Sequence, residues 1–478
     1  MRRRDFLRAS TGIVGAGCIG ASGKAAEEER PASTSGGPAP ATIAPDRAAI
    51  QEAPRSTPVA ADVDVVVVGG GPTGVGAALA AAGEGATTLV VERHGMLGGM
   101  WTAGLLNPLF DSRKGWLVEK LIARLREADA WRDRKMPVFD PERMKFTLEQ
   151  MLAEANAQFW YHVQATDPIV ADGAVRGVVV EGKSGREAVL AKVVVDCTGD
   201  GDVAARAGVP FQFGRKIDGL AQPMTLMFEV TDVESFEGHP ADELEARYML
   251  DAITSAIEKH HLPIQFPYGK RPRGTPWLIQ IPRPGVVAIQ ATHVYRYDAT
   301  STRDVTQATV EARRQAHEIF LPAMRKVPGM ENIRLSQTAP SIGVRESRHL
   351  EGQYTLRADD VAAGRRFDDA VACCTFGCDI HEIYPDDPHS KRIRAKPFEI
   401  PYRCLVPKDR DGLVFAGRCI SGEHEAHASY RVTGTCMAMG QAAGLAAAIA
   451  AQRNVSPSQL DGRTIHDELR DRGAVFLG

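Results

Sequence analysis

A chain of 478 residues, 44% hydrophobic and 24% charged with a formal net charge of −3, has the makeup of a soluble globular protein long enough for two domains with their own cores. That near balance of charge removes the electrostatic case for nucleic acid, which calls for a basic stripe. No stretch of about 18 apolar residues is present to give the mature chain an integral membrane segment.

The first 26 residues, opening Arg2-Arg3-Arg4-Asp5-Phe6-Leu7, resemble a twin-arginine signal peptide, with small residues at Ala25-Ala26 for cleavage. Export by that route predicts a periplasmic or extracytoplasmic protein that leaves the cytoplasm folded, which suits a chain loaded with a cofactor. Residues 27–61 are rich in Pro, Ala, Ser, Thr and Glu without periodic hydrophobics, and read as a disordered linker. Seven of the eight cysteines then remain, an odd number without regular spacing, so no disulfide framework is expected.

Asp62 to Val68 is a valine run that reads as a buried parallel strand. It breaks into Gly69, Gly71 and Gly74, and a helix of small residues opens at Pro72 and Thr73. In G-x-G-x-x-G the first glycine makes the tight turn. The second lets backbone approach a pyrophosphate, and the third lets helix pack on strand. The phosphates then meet N–H groups at the helix N-terminus. A second strand ends at Glu92, 23 residues after Gly69, where a carboxylate suits a ribose diol. After Glu92 the chain enters a glycine-broken loop rather than another strand–helix unit. Two distant stretches, Ala191 to Gly208 and Asp411 to Gly422, read as further strands of the same nucleotide domain, and a small-residue helix follows.

With GGGPxG at Gly69 to Gly74, a GGM loop at Gly98 to Met100, D-x-TGDGD at Asp196 to Asp202 and a GR-x-xS turn at Gly417 to Ser421, the chain resembles the FAD-dependent oxidoreductases of the glutathione-reductase-like superfamily. The resemblance covers roughly residues 62 to 452. It implies an α/β fold: a Rossmann-like FAD-binding domain on a parallel sheet, discontinuous in sequence (62–214 and 396–478), with an inserted α+β substrate domain at 215–395. It implies extended FAD, with Gly69, Gly71, Gly74, Glu92 and Arg93 at the adenosine and pyrophosphate end. Gly98 and Gly99 would line the dinucleotide path and Thr198 and Gly199 the adenine side. Gly417 and Arg418 would lie by the pyrophosphate or ribityl. Val432, Thr433, Gly434 and Thr435 would open the last helix toward the flavin N1–C2 edge, where a helix N-terminus suits negative charge.

No second strand with G-x-G-x-x-G stands in the middle of the chain, and "CCTFGC" has the wrong spacing for a dithiol relay. A small organic substrate is therefore expected to exchange electrons with the flavin directly, as in a dehydrogenase or oxidase, with an electron acceptor that the sequence does not name. Arg345 and Arg348 are candidates to clamp a carboxylate, with His381 and Tyr384 as further substrate contacts. His424 or His427 is the candidate acid–base group and Arg431 the candidate to bind a substrate anion. No metal is expected, because His424 and His427 stand three apart where a zinc-protease helix needs four. Two other readings stay open: a fumarate-reductase-like flavoprotein running electrons into an alkene, and a non-catalytic flavin-binding subunit.

Overall fold

The computed structural model describes residues 42–43, 50–236, 239–240, 255, 258–259, 261, 276–390 and 393–477. The stretch expected to be a twin-arginine signal lies outside these residues. Met1–Ser56 and Thr57–Gly478 are separate compact units. In the first, Thr42–Ile43 pairs antiparallel with Ile50–Gln51, inside the stretch expected to be a linker.

In the second unit, strand Val59–Val68 starts three residues earlier than its valine pattern, because Val59 and Ala61 already pair with Ala188 and Val189. Its last four valines are at most 3% exposed, as a strand covered on both faces requires. Thr88–Glu92 and then Gln158–Tyr161 lie parallel on one side of it, and Gly185–Asp196 lies parallel on the other. The end of Gly185–Asp196 pairs in parallel with Leu413–Phe415, so the C-terminal segment returns to the sheet as its motif implied.

The sheet is not wholly parallel, and this corrects the expectation. Gly185–Asp196 is twelve residues long, and its first half pairs antiparallel with Ala174–Gly182, which pairs with Gln164–Ala171. The links are two-residue hairpins. One is Asp172-Gly173, both at positive φ (51° and 78°), the Asp-Gly chemistry that favours a tight antiparallel return.

Helix Pro72–Gly83 and helix Thr433–Arg453 cross over this sheet. A Cβ at Gly440 would sit 2.0 Å from the Thr73 carbonyl oxygen, so only glycine admits this approach. Thr433–Arg453 is long and apolar enough to cross a membrane, but its apolar length is spent inside the core, where the window that meets the test is wholly buried.

A second sheet is antiparallel, ordered Trp277–Gln280, Val287–Gln290, Phe228–Thr231, Arg334–Thr338. Helix Thr302–Arg314 continues through a six-residue π turn, Gln315–Phe320, whose Ala316 and Phe320 pack on Phe228 and Leu278. This sheet and helix fall inside the stretch 215–395 expected to be the α+β insert. Leu350, Val371, Cys374, Phe398 and Ile400, within the stretch expected to be the insert, share one hydrophobic core with the nucleotide sheet. The seven described cysteines are all free thiols, six buried and Cys378 half-buried.

Candidate active site

The glycine turn behaves as its spacing demands. Gly69 has φ +99°, and a Cβ on Gly74 would meet the Gly69 carbonyl oxygen at 1.8 Å. Helix Pro72–Gly83 starts at Gly71 without a side-chain cap, leaving its first amides for a ligand. Glu92, 4% exposed, accepts from the N–H of Gly70 (2.6 Å) and of His94 (2.7 Å), which pins the second strand's end to the turn. Buried Asp196 organises the facing loop: it accepts from the Thr198 N–H and hydroxyl and from the Ala204 N–H.

Between these loops runs a groove of about 180 Å³. Glu92, Arg93, His94 and Gln164 line one end, Gly69, Gly71, Pro72, Thr73, Gly99, Thr198, Gly199 and Asp200 its length, and Arg418, Arg431 and Thr433 the other. Gly98, Gly417, Gly434 and Thr435, expected on the ligand path, support it from behind. Gly98 caps the turn Gly99–Trp101 and Gly417 faces the Thr73 hydroxyl. The Gly434 N–H is taken by the Phe110 carbonyl (3.1 Å) and the Thr435 hydroxyl by Asp111 (2.7 Å). Arg418 spans the groove to Asp200 (2.7 Å) and Ser347 (2.9 Å), an ion pair that sequence reasoning missed although Asp200 lies inside the TGDGD motif.

A second cavity, of about 310 Å³, shares Met100, Val344, Arg418, Arg431 and Thr433 with the groove. Its apolar wall includes Leu106, Phe110, Met227, Trp277 and Phe376; Phe110 lies 5.9 Å from Trp277 and 5.4 Å from Phe376, ring centre to ring centre. Its polar end holds Arg345, Asp379, His381 and Arg431. Arg345 is buried and braced by Pro223 O (2.6 Å) and Thr225 Oγ1 (2.8 Å). Burial first, then neighbouring Arg431, lower it to about 9, so it stays charged at neutral pH. Arg431 donates to Asp379 O (2.8 Å) and Oδ2 (3.3 Å), and its Nε is buried without a partner, as is the Thr433 hydroxyl. His381 Nε2 stands 3.2 Å from Asp379 Oδ2. Burial and Arg345 push His381 down to about 4, so it is a neutral imidazole in the working range. Burial would raise Asp379, but His381, Arg431 and Arg345 outweigh it and hold the carboxyl well below the usual range.

The other candidates fall elsewhere. His424 and His427, expected beside the flavin, line neither space. Helix His424–Tyr430 turns both into a buried cluster, where His424 Nδ1 meets Glu346 Oε1 (2.7 Å) and His349 Nε2 meets the same oxygen (2.9 Å). Burial opposes ionisation of Glu346, yet His424 and His349 hold it well below its normal range, and His424 is raised in return. His427 is pushed well below by burial. These histidines serve a buried charge. Arg348 is occupied by Asp200 O (3.0 Å) and Asp202 (2.9 Å), and Tyr384 lies between the guanidinium groups of Arg215 and Arg296 (5.8 and 5.3 Å); neither lines the cavity.

The donor set fits FAD. Uncapped helix amides and the open side of Gly71 suit a pyrophosphate. Glu92 suits a ribose, and the unpartnered Arg431 Nε and Thr433 hydroxyl wait at the end where the groove meets the cavity.

The chain is similar to several known proteins. Thiamine thiazole synthase of Methanococcus vannielii is 30% identical over 149 residues, 29% of this chain and 56% of that protein. Digeranylgeranylglycerophospholipid reductase 2 of Methanopyrus kandleri is 30% identical over 149 residues, 29% of this chain and 38% of that protein. The chain thus spans about half the length, or less, of these curated relatives. A geranylgeranyl bacteriochlorophyll reductase-like protein of Thermoplasma acidophilum is 17% identical, with a TM-score of 0.42 over 86% of this chain and 84% of that one. Residues 64–469 match the model of the FAD dependent oxidoreductase family, and with the groove that its glycine turn builds, the chain is a FAD-dependent enzyme of that family.

Proposed function

We propose that this protein, exported by its twin-arginine leader, oxidises a small molecule with an apolar, ring-sized body and one anionic group, at a C–H bond beside a hydroxyl or amine. One observation carries the reading: the cavity shares Arg418, Arg431 and Thr433 of its lining with the groove. FAD, when bound there, supplies a two-electron acceptor whose N5 takes a hydride. The chain's own residues do the rest. Arg345 and Arg431 against Asp379, with His381 neutral, leave one net positive charge, which matches one carboxylate. Phe110, Trp277 and Phe376 bury the apolar body and exclude water. His381, held by Asp379, takes the proton of the hydroxyl or amine as the C–H bond breaks.

The test is anaerobic mixing of FAD-loaded protein with aromatic and alicyclic 2-hydroxy and 2-amino acids and their methyl esters. The free acids are expected to bleach the flavin band and the esters to fail. If dithionite bleaches the band and no acid does, the reading falls.

A further inference from the structure

The cavity's histidine has a partner behind it that the proposed reaction does not name. His293 is 1% exposed and held on both sides of its backbone. Its N–H donates to Gln315 Oε1 and its carbonyl accepts from Gln315 Nε2, each at 3.0 Å. Gln315 begins the π turn, and such a turn costs regular helix and is typical of functional positions. From His293 a row of three contacts leads to the cavity: Ala291 O to His293 Nδ1 at 3.2 Å, His293 Nε2 to His381 Nδ1 at 3.3 Å, and His381 Nε2 to Asp379 Oδ2 at 3.2 Å.

Both ends of this row accept only. A carbonyl oxygen has no proton to give, and Arg431 and Arg345 favour the ionised form of Asp379. Two neutral imidazoles bring two protons to three contacts, so one contact lacks its proton. At the Ala291 end a bare nitrogen facing a bare oxygen would be buried beyond reach of water, at the full cost of an unsatisfied polar pair. At the Asp379 end the shortfall is tolerable, because Arg431 Nη2 also donates to Asp379 and the cavity opens there.

We infer that His293 fixes His381 as its Nδ1–H tautomer, so that its Nε2 lone pair is left to accept a proton at the cavity's polar end. The inference rests on the proposed reaction for its use, though not for its chemistry. As substrate C–H gives up hydride, the substrate O–H or N–H proton passes to His381 Nε2, and the new N–H donates to Asp379, completing the third contact. The titratable and charged groups around His381 are Asp379 on its own loop, Arg345 before strand Arg348–Leu350, Arg431 after helix His424–Tyr430, and neutral His293 with Tyr295 after strand Val287–Gln290. A bound carboxylate offsets the two arginines, so an anionic substrate also strengthens the base that will act on it. His293 itself touches no substrate and is a positioning residue.

The experiment is nitrogen-15 NMR of histidine-labelled, FAD-loaded full chain, with His381 assigned through His381→Gln. Wild type is expected to show His381 protonated at Nδ1 at neutral pH. His293→Phe, which removes the acceptor, is expected to turn it to Nε2–H and slow flavin reduction by about 10- to 100-fold. His293→Gln, whose amide oxygen can still accept, is expected to keep both near wild type. Nε2–H in the wild type overturns the inference even if His293→Phe fails to fold, and so does an unchanged tautomer in a folded His293→Phe. Failure of every acid to bleach the flavin would instead sink the proposed reaction while leaving the tautomer as measured.

Discussion

Replacing Asp379 by the isosteric asparagine separates binding from chemistry at the cavity's polar end. The carboxylate is 3.2 Å from His381 and 3.3 Å from Arg431, so its loss takes the local charge from about +1 to about +2 without changing shape. Coulomb's law gives about 4 kcal/mol for unit charges about 4 Å apart at an effective dielectric near 20. Asp379's side chain is 49% exposed, so screening reduces this to about 1–2 kcal/mol, or roughly 5- to 30-fold. A carboxylate inhibitor, followed by the shift it causes in the flavin spectrum, should therefore bind that much more tightly to D379N. The same change lowers His381 further, since a negative neighbour no longer favours its protonated form, so the anaerobic rate of flavin reduction should fall. Opposite signs from one isosteric change are the signature. Weaker or unchanged inhibitor binding would refute the placement of the substrate anion beside Asp379.

Gly74→Ala, whose Cβ would stand 1.8 Å from a backbone oxygen, should cost FAD binding by at least about 100-fold, read as flavin retained on gel filtration. Arg431→Met should raise the Kd of a carboxylate inhibitor by about 10- to 150-fold, the value of a charged hydrogen bond, and leave the affinity of its methyl ester unchanged. His424→Ala strips a partner from fully buried Glu346 and should cost about 3–5 kcal/mol of stability in urea unfolding; below its transition the variant should reduce flavin at the wild-type rate. Stability should also fall between about pH 6.5 and 4. His293, His381 and His427 are all lowered by burial, so the unfolded chain binds more protons in that window, and this outweighs the opposing shifts of His424 and Asp196. Melting curves at fixed ionic strength check this.

What could be read in the sequence was what short-range chemistry dictates. Strand, glycines, helix, strand and Glu92 form within about thirty residues, and each glycine's role follows from its spacing; the structure keeps all of them. Arg345, His381 and Arg431 could be singled out because guanidinium and imidazole groups stand in loop-like stretches, and all three line the cavity. His424 and His427 were misread because position along the chain does not fix direction. A seven-residue helix aims both at Glu346, 78 residues away from His424 in sequence. The apolar wall was invisible for the same reason. Phe110, Trp277 and Phe376 come from three segments, and beside the first and last Asp111 accepts from the Thr375 hydroxyl (2.6 Å) and from Lys114 (2.5 Å). His293 had no local pattern at all; it is placed by a π turn 22 residues later.

The proposed redox site lies where groove and cavity meet, with His381 rather than the histidines of helix His424–Tyr430 as its base. The most direct test is the anaerobic rate of flavin reduction in His381→Ala and His427→Ala, each loaded with FAD, using the first acid that bleaches the wild type. A loss of about 100-fold or more in His381→Ala with His427→Ala near wild type is the predicted result. The reverse order would contradict it and return the chemistry to the helix.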